Sequence, residues 1–141
     1  MKTKVITICG KQVTLAYCYA TEIAYKDIAD EDMIDFVQHA IDCLKQEKDP
    51  DIKRTLSAIF ACIIAYAEAT TEDGKETVYP VTMKEMMKDI SPAEIGVALL
   101  TIIELRTQFY RTTKSDDAAV NADAAVSDAS PAESEEQAKN A

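Results

Sequence analysis

A strongly apolar stretch near the middle of the chain constrains the fold more than any other feature. Residues 56–67 contain one polar side chain, Ser57, in twelve positions, and the larger apolar side chains recur at the i, i+3, i+4, i+7 spacing of one helix face. The opposite face carries small residues. Because neighbours must surround a helix that is apolar all round, the stretch predicts a central helix. The stripe comprises Leu56, Ile59, Phe60, Ile63, Ile64 and Ala67, and the small face comprises Ala58, Ala61, Cys62 and Ala65.

The residues before this stretch indicate where its helix begins. Asp49 offers an N-cap acceptor, and Pro50 has the φ angle of a first helical residue. Twelve residues make about 18 Å of helix, whereas crossing a bilayer takes about 20 residues. Neither this stretch nor the N-terminus has the apolar run of an anchor or a signal peptide, so we predict a cytoplasmic protein with no membrane contact.

Two short runs at the N-terminus have the pattern of a β-hairpin. Thr3–Ile8 and Gln12–Tyr17 are rich in β-branched residues, and Gly10 between them supplies the positive φ that a tight turn needs. A two-stranded hairpin is only marginally stable alone, so it must pack on the helices or pair with another chain. For the second case, the candidate oligomerisation residues are Val5, Ile6, Val13 and Leu15.

Four further helices are predicted around the central one. Apolar spacing indicates two of them, and acids at residues 30–32 stand where a helix dipole favours negative charge. A Ser or Thr three residues before a Glu has the spacing of a capping box and opens each of the other two, while Pro80 excludes helix before them. The predicted segments are helices over Ala20–Ile28 and Glu31–Gln46, an extended segment over Glu76–Val81, a short helix from Thr82 to Asp89, and a last helix from Ser91 to Thr113 that packs on the central one.

The C-terminal residues 115–141 differ sharply in composition from the rest. They contain no aromatic residue, no Leu, Ile or Met, and seven acids against one lysine, which is −6 of the net charge of −10. Such a segment cannot bury enough apolar surface to offset its ordering entropy, so it is predicted to be a disordered acidic tail. The scattered Lys and Arg of residues 1–114 argue against nucleic acid as a partner. The predicted fold is mainly α: one domain over residues 1–114, with an N-terminal two-stranded β-hairpin and a bundle of four to five helices, followed by the tail.

The chain lacks the patterns typical of an active site. His39 is the one histidine, and Cys43 follows it by one helical turn, but a third orienting group is missing from the spacing. The four cysteines have no CxxC spacing and are read as reduced thiols, without metal or cofactor. The alternative is a small helical enzyme or ligand-binding domain, with a pocket between the central and last helices lined by Ser57, Thr101 and His39.

The short helix after Thr82 carries an unusual group of methionines. Met83, Met86 and Met87 fall within five residues. Methionine adapts its shape readily, so such a group either fills a gap between elements or forms a surface that binds a partner. We therefore treat these three residues as candidate partner-binding residues.

The N-terminal residues resemble a known family. The run Lys4–Leu15, a short strand followed by a Gly-Lys turn and a second strand, resembles the opening of tail assembly chaperones of phages and prophages, and Tyr19–Phe36 continues the pattern. The resemblance implies a non-enzymatic protein that self-associates and coats the long, helical tape-measure protein of the phage tail. No functional residue is carried over from the family.

Two main interpretations therefore remain open. The first is a protein that binds other proteins, as its open strand edges and methionines indicate. Its expected partners are a second copy of itself and the tape-measure protein. A regulatory adaptor of a mobile element that binds a host protein shares the same sequence features. The second is the small helical enzyme or ligand-binding domain.

Overall fold

The chain begins with an antiparallel hairpin and continues through helices. The computed structural model describes the backbone of residues 1–118 and the side chains of residues 1–111. Over this range the predicted mainly α class, a hairpin and then a bundle with five helices, is confirmed. The elements are β1 (Lys2–Ile8), β2 (Lys11–Tyr17), α1 (Tyr19–Ala29), α2 (Met33–Lys45), α3 (Ile52–Thr70), α4 (Met83–Asp89) and α5 (Pro92–Ala118).

The last helix extends further than the sequence pattern suggested. α5 includes residues 115–118, which we assigned to the start of the acidic tail. The predicted disorder of the rest of the tail concerns residues 119–141, which lie outside the described residues. The chain divides into one unit over residues 1–107 and a second from Gln108 onward. In the second unit, the rings of Phe109 and Tyr110 meet edge-on, with their centroids 5.2 Å apart.

The hairpin is joined by a two-residue turn. Cys9 and Gly10 both have positive φ, 53° and 75°, as the central residues of a type I′ turn require. The turn fixes a register in which Ile6 faces Val13 and Val5 faces Thr14. Side chains alternate between the two faces of a strand pair, and one face is the core side. Its buried residues are Ile6, Ile8, Val13, Leu15 and Tyr17.

The helix α3 occupies the centre of the bundle, as predicted. Its small residues, Ala58, Ala61 and Cys62, are fully buried, whereas Phe60 and Ile64 are half-buried. Small side chains allow neighbouring elements to approach closely, so the small-residue face of α3 is more enclosed than the face that carries Phe60 and Ile64. Ten residues of the helix are buried in all, which is why the stretch reads as apolar all round.

The predicted start of α3 at Asp49 and Pro50 is wrong by two residues. The N-cap is Asp51, whose carboxylate accepts a hydrogen bond from the Arg54 N–H at 2.9 Å. The backbone N–H of Asp51 donates to Nε2 of His39, also at 2.9 Å. This bond from α2 positions Asp51, rather than Asp49, as the cap.

A polar cluster joins the first three helices. Glu31, just before α2, accepts hydrogen bonds from Arg54 Nη2 at 2.7 Å, from Arg54 Nε at 3.1 Å, and from the hydroxyl of Tyr25. We predicted that the acids at residues 30–32 serve the dipole of α2. The N-cap of α2 is Asp32, with no side-chain capping bond, and Glu31 instead connects α1 to α3.

Two carboxylates of α5, Glu94 and Glu104, contact the hairpin. Glu94 forms the predicted capping box with Ser91, with both bonds at 3.1 Å. The same carboxylate accepts the backbone N–H groups of Cys9 at 3.1 Å and Gly10 at 3.2 Å. Further along, Lys4 Nζ lies 3.2 Å from Glu104. The contacts place this part of α5 alongside β1.

Candidate protein-interaction surfaces

The candidate oligomerisation residues have different environments. Ile6, Val13 and Leu15 are buried in the core of this chain, whereas Val5 is 55% exposed. Three of the four side chains are therefore engaged within the chain. The groups that β1 offers to another chain are its backbone and Val5.

The outer edge of β1 carries unpaired backbone groups. The two residues that flank a type I′ turn form a hydrogen-bonded pair, and hydrogen-bonded and open pairs then alternate along the ladder. In the observed register, Thr3, Val5 and Thr7 occupy open positions, so their N–H and C=O groups point away from β2. The opposite edge supports this assignment, because the Ala16 carbonyl accepts a bond from Thr21 Oγ1 at 2.8 Å. Among described residues the sheet has two strands.

Exposed apolar residues of α5 share a helix face with a residue that contacts β1. Val97 and Leu100 precede Glu104 by seven and four residues, so the three share a helix face. Glu104 contacts Lys4 of β1, and both apolar side chains are more than half exposed. We define the β1 edge surface as the outer backbone of Thr3, Val5 and Thr7 with Val97 and Leu100.

The three candidate methionines do not form one surface. Met86 is fully buried, Met83 is half-buried, and Met87 is 67% exposed. Met86 packs in the core, in agreement with the gap-filling alternative. A partner could reach Met87 and part of Met83, but not the set that the sequence grouped together.

The polar residues considered for catalysis serve structural contacts. His39 Nε2 accepts the Asp51 N–H, and Cys43 Sγ lies 3.8 Å from the same nitrogen. The hydroxyls of Ser57 and Thr101 donate to carbonyls one turn back in their own helices, at 2.8 and 2.7 Å. These bonds occupy the groups that a pocket between the central and last helices would need.

Two of the four thiols have environments that suppress reactivity. All four cysteines are free. Complete burial raises the pKa of Cys62, and burial together with the nearby Glu94 raises the pKa of Cys9. The thiolate is the nucleophilic form of cysteine, so both side chains are held in the unreactive thiol form at neutral pH.

A pocket of about 520 Å³ is lined by residues of β2, α3 and the segment that follows α3. Gln12 and Thr14 of that strand line one side, Tyr66 and Thr70 of α3 line another, and the segment over residues 71–80 closes the third. That segment, partly predicted as extended, forms no strand. The pocket is therefore bordered by β2 and the central helix α3, and not by the central and last helices together.

The helix α1 presents several apolar residues to solvent, which sequence reasoning missed. Its buried residues are Thr21 and Tyr25, while Tyr19, Ile23 and Ile28 are exposed, Ile23 to 64%. Apolar spacing located the helix but not the direction in which each face points. The sequence signal for the buried face is the pair Thr21 and Tyr25, one helical turn apart. Their hydroxyls donate hydrogen bonds to the Ala16 carbonyl and to Glu31. We define the α1 surface as Ile23 and Ile28 with the adjoining Ile64.

Across residues 1–111, no three His, Cys, Asp or Glu side chains come together in a way that could hold a metal ion. None of the helices in the described part of the chain combines the length and apolar character needed to cross a membrane. No protein-family model, curated protein or solved structure matches this chain.

Proposed function

We propose that this chain is a non-enzymatic protein-interaction protein of the tail assembly chaperone type, which self-associates and binds the tape-measure protein of a phage tail. The observation that carries the proposal is the β1 edge surface. An unpaired strand edge accepts a strand from another chain, with backbone hydrogen bonds supplying the affinity. Here the backbone groups are accompanied by an exposed Val5.

The charges along β1 are compatible with such pairing. Lysines on an edge strand oppose the addition of another strand, because a second chain would have to bury their charge. Lys4 is paired with Glu104 at 3.2 Å, so its charge is already balanced within the chain. The remaining lysine, Lys2, stands at the end of the strand.

The outward positions favour a symmetric pair of copies. If Val5 of one copy lies opposite Val5 of a second copy, Thr3 of each copy lies opposite Thr7 of the other. All three positions then direct their backbone groups toward the interface. The arrangement is self-complementary, as a two-fold interface must be. It extends two hairpins into one four-stranded sheet.

The second half of the proposal, the tape-measure protein as client, rests on the resemblance of Lys4–Leu15 to tail assembly chaperones. The described structural roles of His39, Ser57 and Thr101 and the thiol form of Cys9 and Cys62 accord with a non-enzymatic role. The acidic residues 115–141 would add repulsion between assemblies and keep them in solution.

Self-association can be tested by replacing Val5. Proline removes the outward N–H of Val5 and leaves every bond to β2 intact, because an open position donates nothing within the hairpin. We expect light scattering to show oligomers for the parent protein and for the control Val5→Thr, and monomers for Val5→Pro. Circular dichroism would verify that all three remain folded. A parent protein that is monomeric at high concentration, or a folded Val5→Pro that assembles normally, refutes this use of β1.

The client can be tested separately. We expect the chain to copurify with the tape-measure protein encoded beside its own gene, and to keep that protein in the soluble fraction on coexpression. If such a neighbour is absent or stays insoluble, the tail-assembly assignment fails, while the self-association result stands by itself.

A further inference from the structure

The α1 surface points to a second interaction site. We infer that it docks an amphipathic helix of a partner protein, with Lys or Arg on both sides of its apolar stripe. The inference rests on the proposed role in binding other proteins and names the chemistry of one partner. It is independent of self-association through β1.

The orientation of α1 is fixed by polar contacts on its inner side. Thr21 Oγ1 donates to the Ala16 carbonyl at 2.8 Å, and the hydroxyl of Tyr25 donates to Glu31. Both side chains are fully buried. A rotation that buried Ile23 would therefore break both bonds and expose Tyr25. Ile23 is therefore held outward, beside the exposed Ile28 and the half-buried Ile64. Exposed apolar residues that cluster in this way on a folded protein mark a binding site.

The shape of the surface suits a helix. A cavity of about 300 Å³ lies between α1 and α3, with Ala20 and Ala24 among its lining residues and Ile23, Ile28 and Ile64 beside them. A second cavity, of about 510 Å³, meets it at Ile23 and continues to Tyr19. From Ala20 to Ile28, the part of α1 that lines the first cavity rises about 12 Å, a little more than two turns. A helix with apolar residues at i, i+3 or i+4, and i+7 matches this length.

The charge around the surface identifies the occupant as basic. Asp27 lines both cavities, and Glu68 lines the one beside α3. Lys26 is the base in the second cavity, and its Nζ lies 3.7 Å from Asp32, so its charge is balanced. Lys or Arg beside the apolar stripe of a partner would complement the acids.

The same charges argue against two other occupants. A second copy placed on the α1 surface by a two-fold axis would bring Asp27 and Glu68 toward their own counterparts. The C-terminal residues 115–141 carry a net charge of −6 and would be repelled as well. A basic amphipathic helix from another protein is the occupant that the surface favours.

The test uses a fluorescein-labelled peptide of Leu and Lys, about 14 residues long so that it can form helix, with Leu at i, i+3, i+4 and i+7. Two further peptides serve as controls: one with Glu in place of Lys, and one with the same Leu and Lys in scrambled order. Fluorescence anisotropy with the full chain should show binding of the first peptide alone.

Variants locate the binding site. We expect Ile23→Gln to weaken binding at least about tenfold, since it removes a central apolar contact. Asp27→Asn should weaken binding about two- to fourfold, an effect that disappears at high salt. The matched control is Ile52→Gln, at another isoleucine that is more than half exposed, on α3 twelve residues before Ile64. Val5→Pro should bind the peptide like the parent, which separates this result from the oligomeric state.

Several results would overturn the inference. Equal binding of the scrambled peptide, unchanged binding by Ile23→Gln, or no binding by the parent each excludes a helix dock on the α1 surface. If Ile23→Gln instead alters the oligomeric state while no peptide binds, the surface is an interface between copies. Because Ile23 is exposed, its variant should retain the thermal stability of the parent, and a calorimetric scan verifies this.

Discussion

Replacing Glu31 tests most directly how the first three helices are held together. Its carboxylate accepts two bonds from Arg54, at 2.7 and 3.1 Å, and one from Tyr25. The side chains of Glu31 and Arg54 are 22% and 30% exposed. Glu31→Gln keeps the shape and removes the charge, so Arg54 loses its ionic partner and Tyr25 loses a charged acceptor.

The expected cost lies between two limits. Removing one partner of a fully buried ion pair costs about 3–5 kcal/mol, whereas exposed pairs contribute about 0–1 kcal/mol. Since this pair is mostly but not fully enclosed, we expect Glu31→Gln to lower the free energy of unfolding by about 2 kcal/mol. For a domain of this size, that corresponds to a fall in Tm of roughly 8–12 °C.

The pH dependence of this cost has a definite sign. Partial burial by itself raises the pKa of Glu31, but the hydrogen bonds from Tyr25 and Arg54 outweigh it and hold the pKa below the usual value of 4.5. A carboxyl with a lowered pKa in the folded state stabilises the fold above its unfolded pKa. That stability is lost as the pH falls through the folded pKa. The difference in free energy of unfolding between the parent and Glu31→Gln should therefore be constant near neutral pH and shrink below about pH 4.5.

Urea unfolding followed by circular dichroism at pH 7 and at pH 3.5 measures both quantities. Glu104→Gln is the matched control, because it breaks the pair with Lys4, whose two side chains are about half exposed, and should cost less than about 1 kcal/mol. The reasoning would be refuted if Glu31→Gln lowered the free energy of unfolding as little as the control does. It would also be refuted if the difference between the parent and Glu31→Gln were equal at the two pH values.

Two further predictions follow from buried groups. Thr21→Val should lower the free energy of unfolding by about 1–3 kcal/mol, since it leaves the Ala16 carbonyl without its donor; Thr21→Ser keeps the donor and should cost less in the same urea titration. Cys62 is fully buried and its pKa is raised by burial, so it should resist alkylation by iodoacetamide in the folded protein and react after unfolding. Mass spectrometry of digested samples distinguishes these states, and modification of Cys62 without loss of the folded signal would contradict the structure.

The architecture could be read from the sequence where local signals and burial agree. The central helix α3 is apolar on every side, so any compact packing encloses it. The hairpin follows from β-branched runs around a turn, and the capping boxes at Thr82 and Ser91 depend only on residues three apart. These features need no knowledge of the neighbouring elements.

The surfaces were less accessible to sequence reasoning because they depend on which way each element faces. The start of α3 lies at Asp51 because the backbone N–H of Asp51 donates to His39, twelve residues away. Ile23 faces solvent because Thr21 and Tyr25 find polar partners outside their own helix. Met86 and Met87 are adjacent in the chain, yet one is fully buried and the other largely exposed. Periodicity places residues on a face but does not say what covers that face.

The contact between the hairpin turn and Glu94 has a consequence for synthesis. Gly10 and Glu94 are 84 residues apart in the chain, and a ribosome adds about 5–20 residues per second. The turn of a nascent chain therefore waits roughly 4–17 s for the carboxylate that receives its two N–H groups. During that interval the hairpin lacks its contact with Glu94. The strand edge of β1 therefore reaches its final, supported conformation only in chains that have been translated beyond Glu94.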